Sequence, residues 1–306
     1  MVTRKKKAPA RKKVPVKKVS VKKATQDPFD VLAANFQEQF ARDTRRSDTS
    51  GGSFGDKVRV TWFSIPKGIK QATLRIVPDM HTGLLFLPVK VHTFRKDGTF
   101  RSWIDFDWLL GRNDPNVDKE IIMLKEYLHG EKRLTKAMID AWNETNDPAQ
   151  ELARTMKKGG ADGKDITWSR LRFLWNVYDK ADKTVKIYES SKAFKEAVES
   201  LMSAVPALAH PIKGRNLLIN VSMADGRRVF AAPMLAPRKT SIRLDPEDTI
   251  NLLAVANSYK YCDFKYKIDR TFDALGDVAE EYNVTADTFF NALQKYEDGA
   301  TSDEVF

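Results

Sequence analysis

The sequence predicts a mainly β fold with α insertions (α+β): an OB-type Greek-key barrel with a helical insertion and a helical C-terminal region. Three observations point there. About six runs are rich in β-branched and aromatic residues, and two hairpins turn at Asp-Gly pairs. A helical excursion at about 107–164 separates the early strands from the later ones, with one further helix embedded among the latter. A β-sandwich is the alternative arrangement of the same strands.

Residues 1–26 form a basic arm. Its first 23 residues hold 11 Lys or Arg and no acid, among them Arg4, Lys5, Lys6, Lys7, Arg11, Lys12 and Lys13. The whole chain has 52 basic and 41 acidic residues, so the other 41 basic residues balance the acids and the net +11 belongs to the arm. Like charges repel, and Pro9 and Pro15 interrupt a helix, so the arm is expected to be disordered in isolation. Such an arm engages a polyanion, most often nucleic acid, through counterion release. A solubilising tail, or a nuclear-import or organelle-targeting signal, is the other reading.

Residues 27–56 read as an amphipathic helix and a flexible hinge. Phe29, Leu32, Phe36 and Phe40 fall on one helical face, Asp27 before Pro28 is an expected N-cap, and TRRSDTSGGSFG is the hinge. Residues 57–244 form the expected core. KVRVTWFSI, ATLRIVP and LLFLPVKVHTF read as strands, and FRKDGTF as a hairpin turning at Asp97-Gly98. VDKEIIMLKEYL, LTKAMIDAWNE and AQELARTMKK supply the helical insertion. Strands resume with ITWSRLRFLWNVYD and KTVKIYE, followed by the helix SKAFKEAVESLMSAV and a hairpin turning at Asp225-Gly226. Residues 245–296 read as helical, and 297–306 as a mobile acidic tail.

A single cysteine, Cys262, excludes an internal disulfide and a multi-cysteine zinc site, and fits a reducing, intracellular location. The N-terminus lacks the apolar run of a secretory signal, and no stretch approaches a membrane span of ~20 apolar residues, so neither export nor membrane association is expected.

The candidate site follows from strand alternation. Along 168–178, Leu171, Phe173, Trp175 and Val177 form the expected core face. The opposite face holds Trp168, Arg170, Arg172, Leu174, Asn176 and Tyr178. Arginines among aromatics suit single-stranded nucleic acid, because guanidinium groups bind phosphate while rings stack on bases. The 84–94 strand divides likewise: Leu85, Leu87, Val89 and Val91 are apolar, whereas Phe86, Lys90, His92 and Phe94 are mixed. Arg95, Lys96, Arg101 and Trp103 continue that set, and Arg59 and Phe63 alternate away from Val58, Val60 and Trp62.

Enzymatic signals are weaker. GGADGKD has the wrong glycine spacing for a phosphate loop, and Asp165 stands where Ser or Thr would hold magnesium. Asp105 and Asp107 share an expected strand face and could bind a divalent ion as in a nuclease, but further carboxylates are not identifiable. His81, His92, His129 and His210 lack zinc-pair spacing. No catalytic activity, metal or cofactor is expected.

QATLRIVP, VHTFRKDGTF, RFLWNVYD, KTVKIYESSKAFKEAV and NLLINVS, in that order, resemble the core of the single-stranded DNA-binding, helix-destabilising proteins of T-even-type bacteriophages. VLAANF resembles the segment after their basic N-terminus. The resemblance covers roughly residues 28–105 and 165–240. It implies an OB-type barrel binding single-stranded DNA without sequence specificity in replication, recombination and repair. It also implies cooperative self-association through the arm, replication and recombination partners on an acidic C-terminus, and a location in the cytoplasm of the infected host cell. Here that C-terminal contact would be Asp303, Glu304 and Phe306. His92 matches the histidine of that family's zinc module, but its cysteines are missing, so no zinc is expected. The arm is longer than the family's and lacks the Ser or Thr after its basic cluster. A basic-armed protein that coats or packages duplex DNA is the alternative, followed by the metal-dependent nuclease.

Overall fold

The computed structural model describes residues 60–96, 99–111, 119–145, 148, 151, 154–155, 169–258, 272 and 283–303, with 93–96, 99–103, 246, 257–258 and 299–303 described by backbone alone. The chain outside these ranges, including the arm, the 27–56 segment and Arg59, is not part of that description.

Eight strands form a mostly antiparallel sheet: β1 (Gln71–Val77), β2 (Phe86–Lys96), β3 (Thr99–Ile104), β4 (Arg170–Asp179), β5 (Thr184–Ser190), β6 (Arg215–Ala224), β7 (Arg227–Phe230) and β8 (Met234–Lys239). The order β3-β2-β4-β1-β6-β7 is an open path, with β5 on the second edge of β4 and β8 on β6. The helices are α1 (Phe106–Leu110), α2 (Lys119–Gly130), α3 (Lys136–Glu144), α4 (Lys192–Ala204), α5 (Leu252–Ser258) and α6 (Asp287–Asp303).

β4 organises the sheet. One edge pairs with β5; the other pairs with β2 along Arg170–Trp175 and with β1 along Asn176–Asp179. The described part of the first expected strand, from residue 60 on, forms an edge: Trp62 bridges Ile187 in parallel, with Phe63 N–H donating to the Ile187 carbonyl at 2.8 Å. The 225–226 turn forms as expected. Asp225 and Gly226 have φ of 50° and 73°, the paired positive values a two-residue hairpin turn with the right twist demands.

Helices cover both faces of this sheet, and this is where the barrel expectation gives way. On one side Leu74, Ile76, Phe86, Phe173, Trp175 and Val177 pack with Phe194, Val198 and Met202 of α4. On the other, Leu87, Val89, Val91, Leu174 and Ile187 pack with α2, α3, α5 and α6. A closed barrel keeps its core inside; here there are two cores, one on each face, and no pairing among the described strands joins β3 to β7.

The C-terminal expectation also changes. α6 starts at Asp287 and continues through Gly299 to Asp303, so most of the stretch expected to be a mobile tail is helical. Its first turns are anchored by Phe289 and Leu293 in the core, and one interior glycine costs only about 1 kcal/mol against that anchoring.

Buried polar groups tie the layers together. Asn176 exchanges side-chain hydrogen bonds with both backbone groups of Ile250, donating at 2.8 Å and accepting at 3.0 Å. Asp79 accepts from the Leu252 N–H, the Thr82 hydroxyl and the His81 N–H, which fastens the β1–β2 connection to α5. Burial pushes its carboxyl above the ordinary range despite those donors.

Candidate nucleic-acid interface

Strand register decides which of the candidate residues can act together. Residues directly opposite in an antiparallel pair share a face. Phe86 lies opposite Trp175 and Lys90 opposite Leu171, so the mixed set of β2 shares the α4 side with the apolar set of β4. Arg170 and Arg172 lie opposite Val91 and Val89, on the other side. The candidates therefore divide between two faces instead of lining one groove.

Several of them are structural. Phe86 is buried, with Phe173 and Trp175 at ring-centroid distances of 5.6 and 5.0 Å, and Lys195 of α4 lies over its ring. It cannot stack on a base. Phe63 is half-buried and meets Tyr188 edge-on at 5.8 Å. The expected outward face of β4 is also corrected. Leu174 and Asn176 are completely buried, because α5 and its neighbours cover that side. Arg170 is exposed; Arg172 is half-buried with its Nε 3.6 Å from Glu189; Tyr178 is half-buried opposite Arg75 and Val185. Trp168 lies outside the described residues, as do Glu304 and Phe306; Asp303 is the last residue of α6.

Asp105 and Asp107 do not share a strand, since β3 ends at Ile104. Asp105 is the N-cap of α1, accepting from the Trp108 N–H at 3.0 Å, and pairs with Lys90 Nζ at 3.0 Å. Asp107 accepts from the Trp142 indole N–H at 3.1 Å. Burial acts to raise the Asp105 carboxyl, but the His92 ring, the Trp108 N–H, Ser169 and Lys90 together hold it below the ordinary carboxylate range. Both carboxylates have structural duties where a nuclease would need them free. Among the described residues, no group of three His, Cys, Asp or Glu is arranged to hold a metal ion.

What the register does bring together is the β2–β3 hairpin. Beyond Val91, among the described residues, the strand pairs with β3 alone: His92 with Trp103, Thr93 with Ser102, Phe94 with Arg101, Arg95 with Phe100 and Lys96 with Thr99. Lys90, His92, Phe94, Arg101 and Trp103 thus occupy one face of one hairpin, while Arg95 takes the other face.

A second hairpin carries residues that the strand reading treated only as structure. β6 pairs with β1 as far as Asn220, and the Val221 N–H still donates to the Lys70 carbonyl at 2.7 Å; beyond it, Ser222–Ala224 pair with β7 alone among the described residues. Every residue of β7 is exposed, as are Ser222–Ala224. Val221 lies opposite Phe230 and Met223 opposite Arg228, while Arg227 and Val229 take the reverse face. Its sequence signal was the run DGRRVF, two arginines and an aromatic directly after a turn.

No protein-family model matches this chain, and no curated protein matches it.

Proposed function

We propose that this chain is a non-sequence-specific, cooperative single-stranded DNA-binding protein of the phage helix-destabilising type, working in replication, recombination and repair without catalysing a reaction. The observation that carries this is the β2–β3 register, which sets Phe94 opposite Arg101 on a hairpin that, among the described residues, extends past the start of β4. Rings beside guanidinium groups are the combination that holds bases by stacking and phosphates by charge, without reading sequence. The arm's 11 positive charges supply the salt-dependent part of the affinity and, on a neighbouring molecule, the cooperativity. The OB-type kinship implied by the motif order belongs to this proposal too, as an opened relative of that barrel with helices on both faces. Replication and recombination proteins would be recruited through the C-terminus.

The reading is tested by fluorescence titration of oligo(dT) with Phe94→Ala and Arg101→Ala in the full chain. Loss of a stacked base contact costs about 1–3 kcal/mol, so Phe94→Ala should weaken binding by at least about fivefold with its denaturation midpoint unchanged. Arg101→Ala should lower the salt slope by about 0.7. Wild-type affinity and slope in both variants would remove the hairpin from the interface.

A further inference from the structure

We propose a second single-strand contact on the β6–β7 hairpin, using Phe230 and Met223 for the bases and Arg227 and Arg238 for the phosphates. This rests on the single-strand reading above and names a surface that neither the strand alternation nor the family resemblance assigned.

Charge selects the ligand class. Residues 206–244 hold seven Lys or Arg against one acid, Asp225, whereas the rest of the chain beyond the arm has 34 basic against 40 acidic residues. The Arg228 guanidinium donates to the Ile65 carbonyl at 2.6 Å, seating the 65–70 segment against the hairpin. That segment adds Lys67 and Lys70 and no acid. Arg227, Arg238 and Lys239 are exposed and make no ion pair among the described residues, so folding does not consume their charge. A polyanion complements such a surface.

The apolar residues narrow it to an unpaired strand. Phe230 and Met234 are each 48% exposed and Met223 is 65% exposed. Arg228 lies 5.6 Å from the Phe230 ring centroid, an arginine–aromatic pair at the surface. Duplex DNA hides its base faces, whereas a single strand offers one to each exposed ring. A protein partner would call for an apolar centre ringed by charge; here arginines alternate with apolar residues along both faces of the hairpin.

Register then relates the two hairpins. Val221, Met223, Arg228 and Phe230 lie on the α4 side, the side shared by Lys90, Phe94 and Arg101. Among the described residues β2 extends past the start of β4, while β6 extends past the start of β1, which lies beyond the end of β4. The hairpins therefore stand at opposite ends of the sheet with Met223, Arg228 and Phe230 on the side of Phe94 and Arg101, and Arg227 on the reverse face of its hairpin. A single strand long enough to touch both crosses the α4 face.

The test uses the full chain, oligo(dT) of about 16 nucleotides, the upper end of site sizes for one such domain, and two variants. Phe230→Ala should weaken binding by roughly tenfold, within the range for one stacked base. Arg227→Ala with Arg238→Ala should lower the salt slope by about 1.4. Denaturation midpoints should not move, because these side chains are exposed. If wild type and both variants bind alike while Phe94→Ala weakens binding, the second contact is overturned and the single-strand reading stands. If wild type binds no single strand, that reading fails and this one with it. If the variants keep DNA affinity but lose binding to an acidic peptide such as EDGATSDEVF, the hairpin is a protein-docking surface and the proposal is overturned.

Discussion

Arg75→Ala should leave the protein largely unfolded under conditions where the wild type is native. Arg75 sits in β1 at 1% exposure, with no ion pair among the described residues. Its Nε donates to Asn216 Oδ1 at 3.0 Å, Nη1 to the His210 and Pro211 carbonyls at 3.0 and 3.2 Å, and Nη2 to the Thr240 carbonyl and hydroxyl. One guanidinium thereby clips together β1, β6, the loop before β6 and the end of β8. Burial pulls its pKa down to about 10, which still leaves it charged at neutral pH. Alanine removes five donor contacts, takes the guanidinium donor from buried Asn216 Oδ1 and from the part-buried Thr240 carbonyl, and opens a cavity, while the His210 and Pro211 carbonyls keep the N–H groups of Gly214 and Ile242. Each unsatisfied buried group costs about 1–3 kcal/mol, so a total loss of at least ~4 kcal/mol is expected, against a typical domain stability of 5–15 kcal/mol. The measurement is the urea midpoint followed by tryptophan fluorescence. Arg75→Met, which keeps volume but not donors, should fall nearly as far. A wild-type midpoint in either variant would show that the clip does not hold the fold.

Deleting residues 1–23 should produce the largest change in DNA binding with no change in that midpoint. If about half of the 11 charges engage phosphates, the slope of log K against log salt should fall by about 4, at roughly 0.7 per phosphate on a single strand. Affinity at low salt should drop by orders of magnitude, and the hairpins should retain weak binding. Titration of oligo(dT) at several salt concentrations checks it. An unchanged slope would make the arm a solubility or targeting element.

Local signals in the sequence were reliable where local physics decides. Asp225-Gly226 turns because that pair tolerates positive φ, and the helical period of 192–204 buries Phe194, Val198 and Met202 as one stripe. Alternation also placed Trp175 inside, where its indole N–H donates to the Ser190 hydroxyl at 2.8 Å. It could not tell which faces meet solvent. Leu174 and Asn176 alternate correctly, yet Ile250 and α5, some 75 residues away in sequence, cover them. Nor could it tell which faces coincide, because register is a long-range property and a shift of one residue would reverse every side. The Phe86–Trp175 pairing turned a supposed binding ring into core, and α1 turned a supposed carboxylate pair into an N-cap and an indole acceptor. Arg75 shows the same limit. Its position in a strand was visible, but its acceptors lie 135–165 residues further on.

The central claim is preference for unpaired strands, and one measurement addresses it directly: binding of the full chain to the same sequence as single strand and as duplex, by tryptophan quenching and gel shift, with and without magnesium. The expected result is tighter binding to the single strand, quenching on that strand, and intact DNA in both conditions. Equal affinity for the duplex would favour a coating protein, strand scission with magnesium would favour a nuclease, and either would contradict the account.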